Sequence, residues 1–214
     1  MSKETNSIYV QYGCGFSAPV TWRNFDASPT LRFERIPLLG KLSFKNSARF
    51  PSNVEFGDII RGLPVESNHC KAVYCSHVLE HLALEDVTIA FKNTYKILSE
   101  NGIFRFVIPD LSFLINEYLA NRDEESAILF MQRAGLGLEK RLKGLKDFLL
   151  NWIGNSRHLW MWDFLSIKAY LENVGFSGVR KAEFGDSEEM IFKDVEVQER
   201  WDNCLGVECW KIKK

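Results

Sequence analysis

Three features of this 214-residue chain predict an α/β fold built on a mostly parallel sheet. Short apolar runs alternate with longer segments of helical period, the pattern of strands and crossover helices. The first run, Ile8-Tyr9-Val10-Gln11-Tyr12, breaks at Gly13-Cys14-Gly15. Such a turn lets a strand deliver backbone to a nucleotide-like ligand with no Cβ in the way. Asp26 follows eleven residues after Gly15, and an acid at the tip of a neighbouring strand can accept bonds from both ribose hydroxyls. The pair suggests an adenosine-bearing cofactor, although Gly-x-Gly by itself fits a plain tight turn equally well.

The elements follow in order. After the first strand, Arg23 to Asp26 reads as a short second one and Asn53 to Asp58 as a third. The linker between them carries Arg32, Arg35, Lys41, Lys45 and Arg49. Ala72 to Ser76 is a fourth strand. Leu84 to Leu98 places Val87, Phe91, Tyr95 and Leu98 at spacings of three and four, the stripe of an amphipathic helix, and Asn101-Gly102 stops it. Ile103 to Ile108 is a fifth strand, broken by Pro109, which cannot donate to a ladder; Asp110 then stands at its carboxyl end. From Leu111 to about Trp162 the rhythm becomes helical in Phe113 to Leu119 and Ala127 to Met131. Gly135, Gly137 and Gly144 follow amid Lys and Arg, which reads as an inserted helical cap. Asp163 to Val174 is a helix ending at Gly175, and Val179 to Phe184 and Leu205 to Ile212 are two final strands joined by a long acidic loop. The organisation is one domain over residues 1–214 with the cap at about 111–162.

Composition narrows the partners. A formal charge of -1 and a pI near 6.4 argue against nucleic acid, whose phosphates demand clustered Lys and Arg. A small-molecule partner is expected instead. The basic stretches Lys140-Arg141-Leu142-Lys143 and Lys211 to Lys214 read as a solvated helix face and a chain end. Met1 to Ser7 is polar, and no apolar window reaches membrane-spanning length, so a cytoplasmic protein away from the membrane is expected. Five cysteines without a Cys-x-x-Cys pair suit a reducing compartment. Nothing in the pattern specifies an oligomeric state.

Taken together, Val10 to Gly15, Asn24 to Pro29, Gly57-Asp58-Ile59, Cys75 to Leu82, Tyr95 to Leu98, Val107 to Leu111, Arg157 to Asp163 and Glu172 to Phe176 resemble the class I S-adenosylmethionine-dependent methyltransferases, specifically a small bacterial group of them. The resemblance runs from about residue 8 to the C-terminus and is least diagnostic over 112–156. It implies a Rossmann-like, doubly wound, mostly parallel seven-stranded sheet with an antiparallel last strand, and S-adenosyl-L-methionine as cofactor. The chain departs from the family's usual text where Gln11 and Tyr12 replace an acid before the glycines. The short interval from Gly15 to Asp26 leaves room only for a stunted first helix.

On this resemblance Gly13, Cys14 and Gly15 present backbone to the methionine and ribose portion. Asp26 holds the ribose diol, Asp58 accepts from the adenine amino group, and Ile59 packs beside the ring. Ser76 and His77, closing the fourth strand, face the methyl being transferred, and His77 is a candidate base with a pKa near neutral. His158, with Trp160, Trp162 and Asp163, is the second polar and aromatic cluster, able to line a substrate pocket or to hinge the cap; Asp110 is a further candidate. A rival uses the same residues: His77-Val78-Leu79-Glu80-His81 matches H-x-x-E-H, the inverted zinc-peptidase signature, in which two histidines share a helix face. Outside that rival, no metal is expected. A regulatory protein that binds the cofactor without turnover is the third reading.

Overall fold

The computed structural model describes residues 8–36, 49–138, 141 and 157–212. Met1 to Ser7, Lys41, Lys45, Gly144, all of the 140–143 basic stretch but Arg141, residues 142–156 of the expected cap, and Lys213 and Lys214 lie outside the described residues.

Seven strands form one sheet: β1 (Ile8–Tyr12), β2 (Arg23–Asp26), β3 (Val54–Phe56), β4 (Cys70–Ser76), β5 (Leu98–Pro109), β6 (Ser177–Ala182) and β7 (Cys204–Trp210). Their spatial order is β3-β2-β1-β4-β5-β7-β6. The first five strands in this order pair in parallel, and β7 lies antiparallel to both of its neighbours. The order reverses between β1 and β4, so loops leave the sheet in opposite directions there and open a crevice beyond the strands' carboxyl ends. The expected doubly wound sheet with an antiparallel last strand is the observed one.

The helices are α1 (Pro29–Glu34), α2 (Leu84–Ile97), α3 (Leu111–Ala120), α4 (Ser126–Arg133) and α5 (Phe164–Val174). Val87 and Phe91 of α2 and Ile167 and Leu171 of α5 bury against Phe104 and Phe106 on one sheet face, each large side chain stabilising by about 1.5–3 kcal/mol. Alternation along the strands turns Ala72, Tyr74 and Val107 to the other face. That face is covered not by a long helix but by the 183–203 segment, whose Phe192, Val195 and Trp201 complete a second cluster. Arg105, fully buried on this side, fastens the cover. Its Nε lies 2.5 Å from Glu196, its Nη1 2.9 Å from Asp186 and 3.1 Å from Glu208, and its Cζ 4.6 Å from the Trp201 ring.

Three expectations are corrected. No helix, even a stunted one, joins β1 to β2; the interval is a turn-rich loop. The linker after β2 contains α1, started by Ser28, whose hydroxyl accepts from Thr30 N, with Pro29 in its first turn. And α2 ends at Ile97, not at Asn101-Gly102, because Leu98 has already joined β5 opposite Cys70. Asn101, at φ 61°, and Gly102 instead lie in the register shift before Ile103. The predicted end of α5 at Gly175 is observed, with φ 117° and the Gly175 and Phe176 amides both donating to Leu171 O.

Candidate functional site

The turn after β1 is fixed from three sides. Gly13 and Gly15 take left-handed φ of 65° and 55°, cheap only for glycine. A Cβ on Gly13 would stand 2.2 Å from Val78 Cγ2, whereas one on Gly15 would meet open space. Gln11, buried at the end of β1, donates from Nε2 to Ser17 O (2.8 Å) and to Asn24 Oδ1 (2.5 Å), bracing the loop from below. Cys14 N donates to Phe25 O, but the Cys14 thiol packs with Leu31 and Val54. Burial pushes it up to about 12, so Cys14 offers the turn its backbone and no side-chain chemistry.

Asp26 ends β2 directly across this turn. Its Oδ2 accepts from Gly15 N at 2.9 Å and its Oδ1 from Ser28 N at 2.7 Å. The carboxylate is 8% exposed, and each oxygen keeps acceptor capacity beyond its one backbone bond. Asp58, just past β3, accepts from Ile60 N at 3.0 Å and has Arg61 Nε at 3.5 Å. Gly13, Asp26, Asp58, Ile59, His77 and His81 lie around one cleft of about 300 Å³. Ser76, in contrast, is buried and lines neither this cleft nor the cavity described next. Tyr12, Val78 and Leu82 also line the cleft; Tyr12 ends β1, and that strand-end position was the signal that could have found it.

His77 sits in a left-handed conformation, φ 53°, uncommon for a residue with a Cβ. Its Nδ1 lies 3.0 Å from Glu80 Oε1 and its Nε2 2.9 Å from Arg200 O. A carboxylate and a carbonyl only accept, so both ring nitrogens donate and the ring is an imidazolium. Burial pulls its pKa down, but the contacts with Cys204, Glu80 and the Arg200 carbonyl outweigh that and raise it to about 10. A ring already holding both protons has no lone pair with which to act as a base, so the base role expected of His77 does not fit this geometry.

A second cavity of about 450 Å³ opens on the other side of His77, with Asp110, Glu117, Arg133, His158 and Asn203 on its walls. His158 enters it half-buried, Nδ1 2.7 Å from Ala134 O, its ring edge-on to His81 at 5.0 Å. Burial lowers its pKa below the ordinary histidine value. Asp110 caps α3 by accepting from Ser112 N and also faces the cavity. Trp162 and Asp163 take the structural role: Trp162 is buried against Tyr170 with its carbonyl accepting from Leu111 N, and Asp163 caps α5. Trp160 remains partly exposed. Arg133 and Glu117, paired across the cavity wall, had no motif to mark them.

The inverted zinc-peptidase helix is overturned. Leu79–His81 is a single 3-10 turn, His77 precedes it in a left-handed kink, and both nitrogens of His77 are occupied, so His77 and His81 do not share a helix face. The descriptive fact that survives is a different trio: Glu80, His81 and His158 bring one potential ligand atom each to within 4.8 Å of the others.

A sheet of this order, with acids at the tips of β2 and β3 around a glycine turn, defines the class of α/β proteins that bind a nucleoside-bearing ligand at the switch point. Residues 10–181 match the methyltransferase domain family. The chain belongs to that family, the class I S-adenosylmethionine-dependent methyltransferases, and S-adenosylmethionine is its methyl donor. No curated protein matches the sequence. Among solved structures, it is similar to a putative methyltransferase of Haloferax volcanii in complex with the Trm112 activator (13% identity, 100% of this chain and 86% of that one, TM-score 0.51). It is also similar to a possible histamine N-methyltransferase of Thermotoga maritima (15%, 95% and 82%, TM-score 0.50). A third is a Haemonchus contortus phosphoethanolamine N-methyltransferase holding S-adenosylmethionine (11%, 98% and 49%, TM-score 0.50). At these identities the likeness is one of fold. Among the described residues no helix is long and apolar enough to cross a membrane, and all five cysteines are free thiols.

Proposed function

We propose that the 300 Å³ cleft holds S-adenosylmethionine and that the adjoining 450 Å³ cavity admits a small, polar methyl acceptor. Asp26 takes the ribose diol, Asp58 the adenine amino group, Ile59 the face of the ring, and the backbone of Gly13, Cys14 and Gly15 the methionine end. Bound there, the cofactor supplies a sulfonium-activated methyl group. The observation that carries the reading is that His77 is a wall of both spaces, so the ligands of the two meet at one residue. His77 acts as a positioning residue: its imidazolium holds Glu80 and the 200–204 segment together at the junction, and alignment is most of what an in-line displacement requires. The walls of the acceptor cavity mix Asp110 and Glu117 with Arg133 and His158, suited to a small molecule with hydroxyl or amino groups, sugar-like ones included, rather than to a nucleic acid. Free, mostly buried thiols fit a cytoplasmic setting.

Calorimetric titration with S-adenosylhomocysteine tests the cofactor assignment, and a crystal soaked with it places the ligand. One-to-one binding weakened by Asp58→Ala and by Asp26→Ala is the expected result. Binding that neither substitution changes would move the cofactor elsewhere.

A further inference from the structure

We infer that Glu80, His81 and His158 form a site for one divalent transition-metal ion of the zinc type, whose open positions take a hydroxyl oxygen of the methyl acceptor. The acceptor half of this inference rests on the proposed function; the metal half does not.

Three observations carry it. One ligand atom from each residue lies within 4.8 Å of the other two. Tetrahedral ligands about 2.0–2.1 Å from zinc lie roughly 3.3 Å apart, so modest side-chain rotations close the trio on an ion. Second, both imidazoles have Nδ1 tied to a carbonyl, His81 to Arg157 O at 2.9 Å and His158 to Ala134 O at 2.7 Å. Carbonyls only accept, so each Nδ1 carries the proton and each Nε2 presents its lone pair, as in metal-ligating histidines. Third, Glu80 is 1% exposed, its Oε1 faces His77, and its Oε2 has no hydrogen-bond partner among the described residues. A buried carboxylate oxygen without a donor is costly, and a cation between it and two imidazoles removes that cost.

Two of the three ligands are fastened by backbone. Leu159 N and Trp160 N both donate to Glu80 O, at 2.7 and 3.1 Å, and His158 N donates to Gly135 O. Gly135 lies so close that a Cβ there would stand 2.5 Å from His158 Nδ1. Two nitrogens and one carboxylate oxygen, with the remaining positions open, form a donor set for zinc or its first-row neighbours rather than for calcium or magnesium. His77, whose two ring nitrogens are taken up by Glu80 Oε1 and Arg200 O, is not a ligand, which separates this trio from the H-x-x-E-H motif.

Location gives the ion its task. His81 lines the cofactor cleft and His158 the acceptor cavity. A hydroxyl bound to the ion there ionises near neutral pH, as metal-bound water does, and its proton leaves through the cavity to solvent. The oxygen anion then forms the O–CH3 bond as the C–S bond breaks, the bonding pair going to sulfur and leaving a neutral thioether. This supplies the activation that His77 cannot.

The test uses the full chain stripped with chelator and titrated with Co2+ as a visible probe, then with Zn2+ by calorimetry. Expected are one equivalent bound with a d–d band and, in His158→Ala and Glu80→Gln, affinity lower by more than about 100-fold, beyond the loss typical of an outer-shell partner. Adding acetohydroxamate, a bidentate oxygen ligand, should shift the band of the wild-type Co2+ protein. Absence of saturable one-to-one binding in the wild type would overturn the site, as would affinity unchanged in both variants. A band that acetohydroxamate leaves unmoved would refute the open positions and with them the acceptor oxygen. S-adenosylhomocysteine binding by the same samples reports folding of the variants and fails separately if the cofactor assignment is the part that is wrong.

Discussion

Replacing Asp26 with alanine removes a group with one observed task and one proposed here, and the two are separable by measurement. In the fold, its carboxylate accepts from Gly15 N and Ser28 N at 2.9 and 2.7 Å. Bonds to a charged acceptor contribute about 1.5–3 kcal/mol each. Gly15 and the rim of the cleft are partly open to water, which replaces much of what is lost, so a net destabilisation of about 1–2 kcal/mol is expected. For a chain of this size each kcal/mol lowers Tm by about 2–4 °C. In the cleft, on the proposed assignment, the oxygens' remaining acceptor capacity takes the ribose, and losing those bonds is worth about 1–3 kcal/mol, a rise in the Kd of S-adenosylhomocysteine between about 5-fold and 150-fold. Calorimetry at a temperature well below the variant's Tm reads the second effect without the first. A variant that melts several degrees lower yet binds S-adenosylhomocysteine within about twofold of the wild type would show that Asp26 only builds the turn, and the ribose assignment would be refuted.

Gly13→Ala should destabilise by about 1–3 kcal/mol, since it places a Cβ 2.2 Å from Val78 Cγ2 at a φ of 65°. Adding Val78→Ala should recover the steric part but not the backbone part, which urea midpoints would resolve. Arg105→Met leaves Glu196 as a buried carboxylate without its cation and takes from Glu208 one of its two, Arg180 being the other, and should cost about 3–5 kcal/mol; a urea midpoint near that of the wild type would show that the network is not holding the 183–203 cover. Asp186 gives a pH dependence. Burial alone would raise its pKa, but bonds from Arg180 and Arg105 hold it at about 2, below the usual 3.8. A depressed pKa means stability that is fully present above about pH 4 and is lost as pH falls toward 2. Thermal melts of the wild type and Asp186→Asn should therefore differ most near neutrality and converge in acid; a gap constant from pH 7 to pH 2 would contradict the pairing.

The sheet was legible because its signals are local. The short apolar runs Ala72 to Ser76 and Ile103 to Ile108, and Gly175 at a helix end, each specify an element with no help from the rest of the chain. Asp26 and Asp58 could be placed because strand tips follow from strands. What failed depended on backbone kinks and on partners that the local pattern does not encode. His77 reads as a free base until Glu80 and Arg200 O occupy both nitrogens, and the latter lies 123 residues away. Ser76 ends its strand as predicted, but the pleat turns it away from the cleft. The H-x-x-E-H spacing presumes an α-helix, and the φ of His77 denies it one. Nothing short of the fold brings Glu80 and His158 together.

The 183–203 cover runs between two regions with different obligations. Phe192, Val195 and Trp201 and the Arg105 cluster nail it to the sheet, while Arg200 delivers its carbonyl to His77 and Asp202 and Asn203 stand on the wall of the 450 Å³ cavity. Anchoring side chains and cavity-wall side chains thus alternate at the end of one segment. Substitutions at Asp202 can reshape the cavity wall while the nails keep the sheet sealed, whereas Asn203, at φ 60°, is held to its place by its backbone as well. For directed evolution, that makes Asp202 the place to begin.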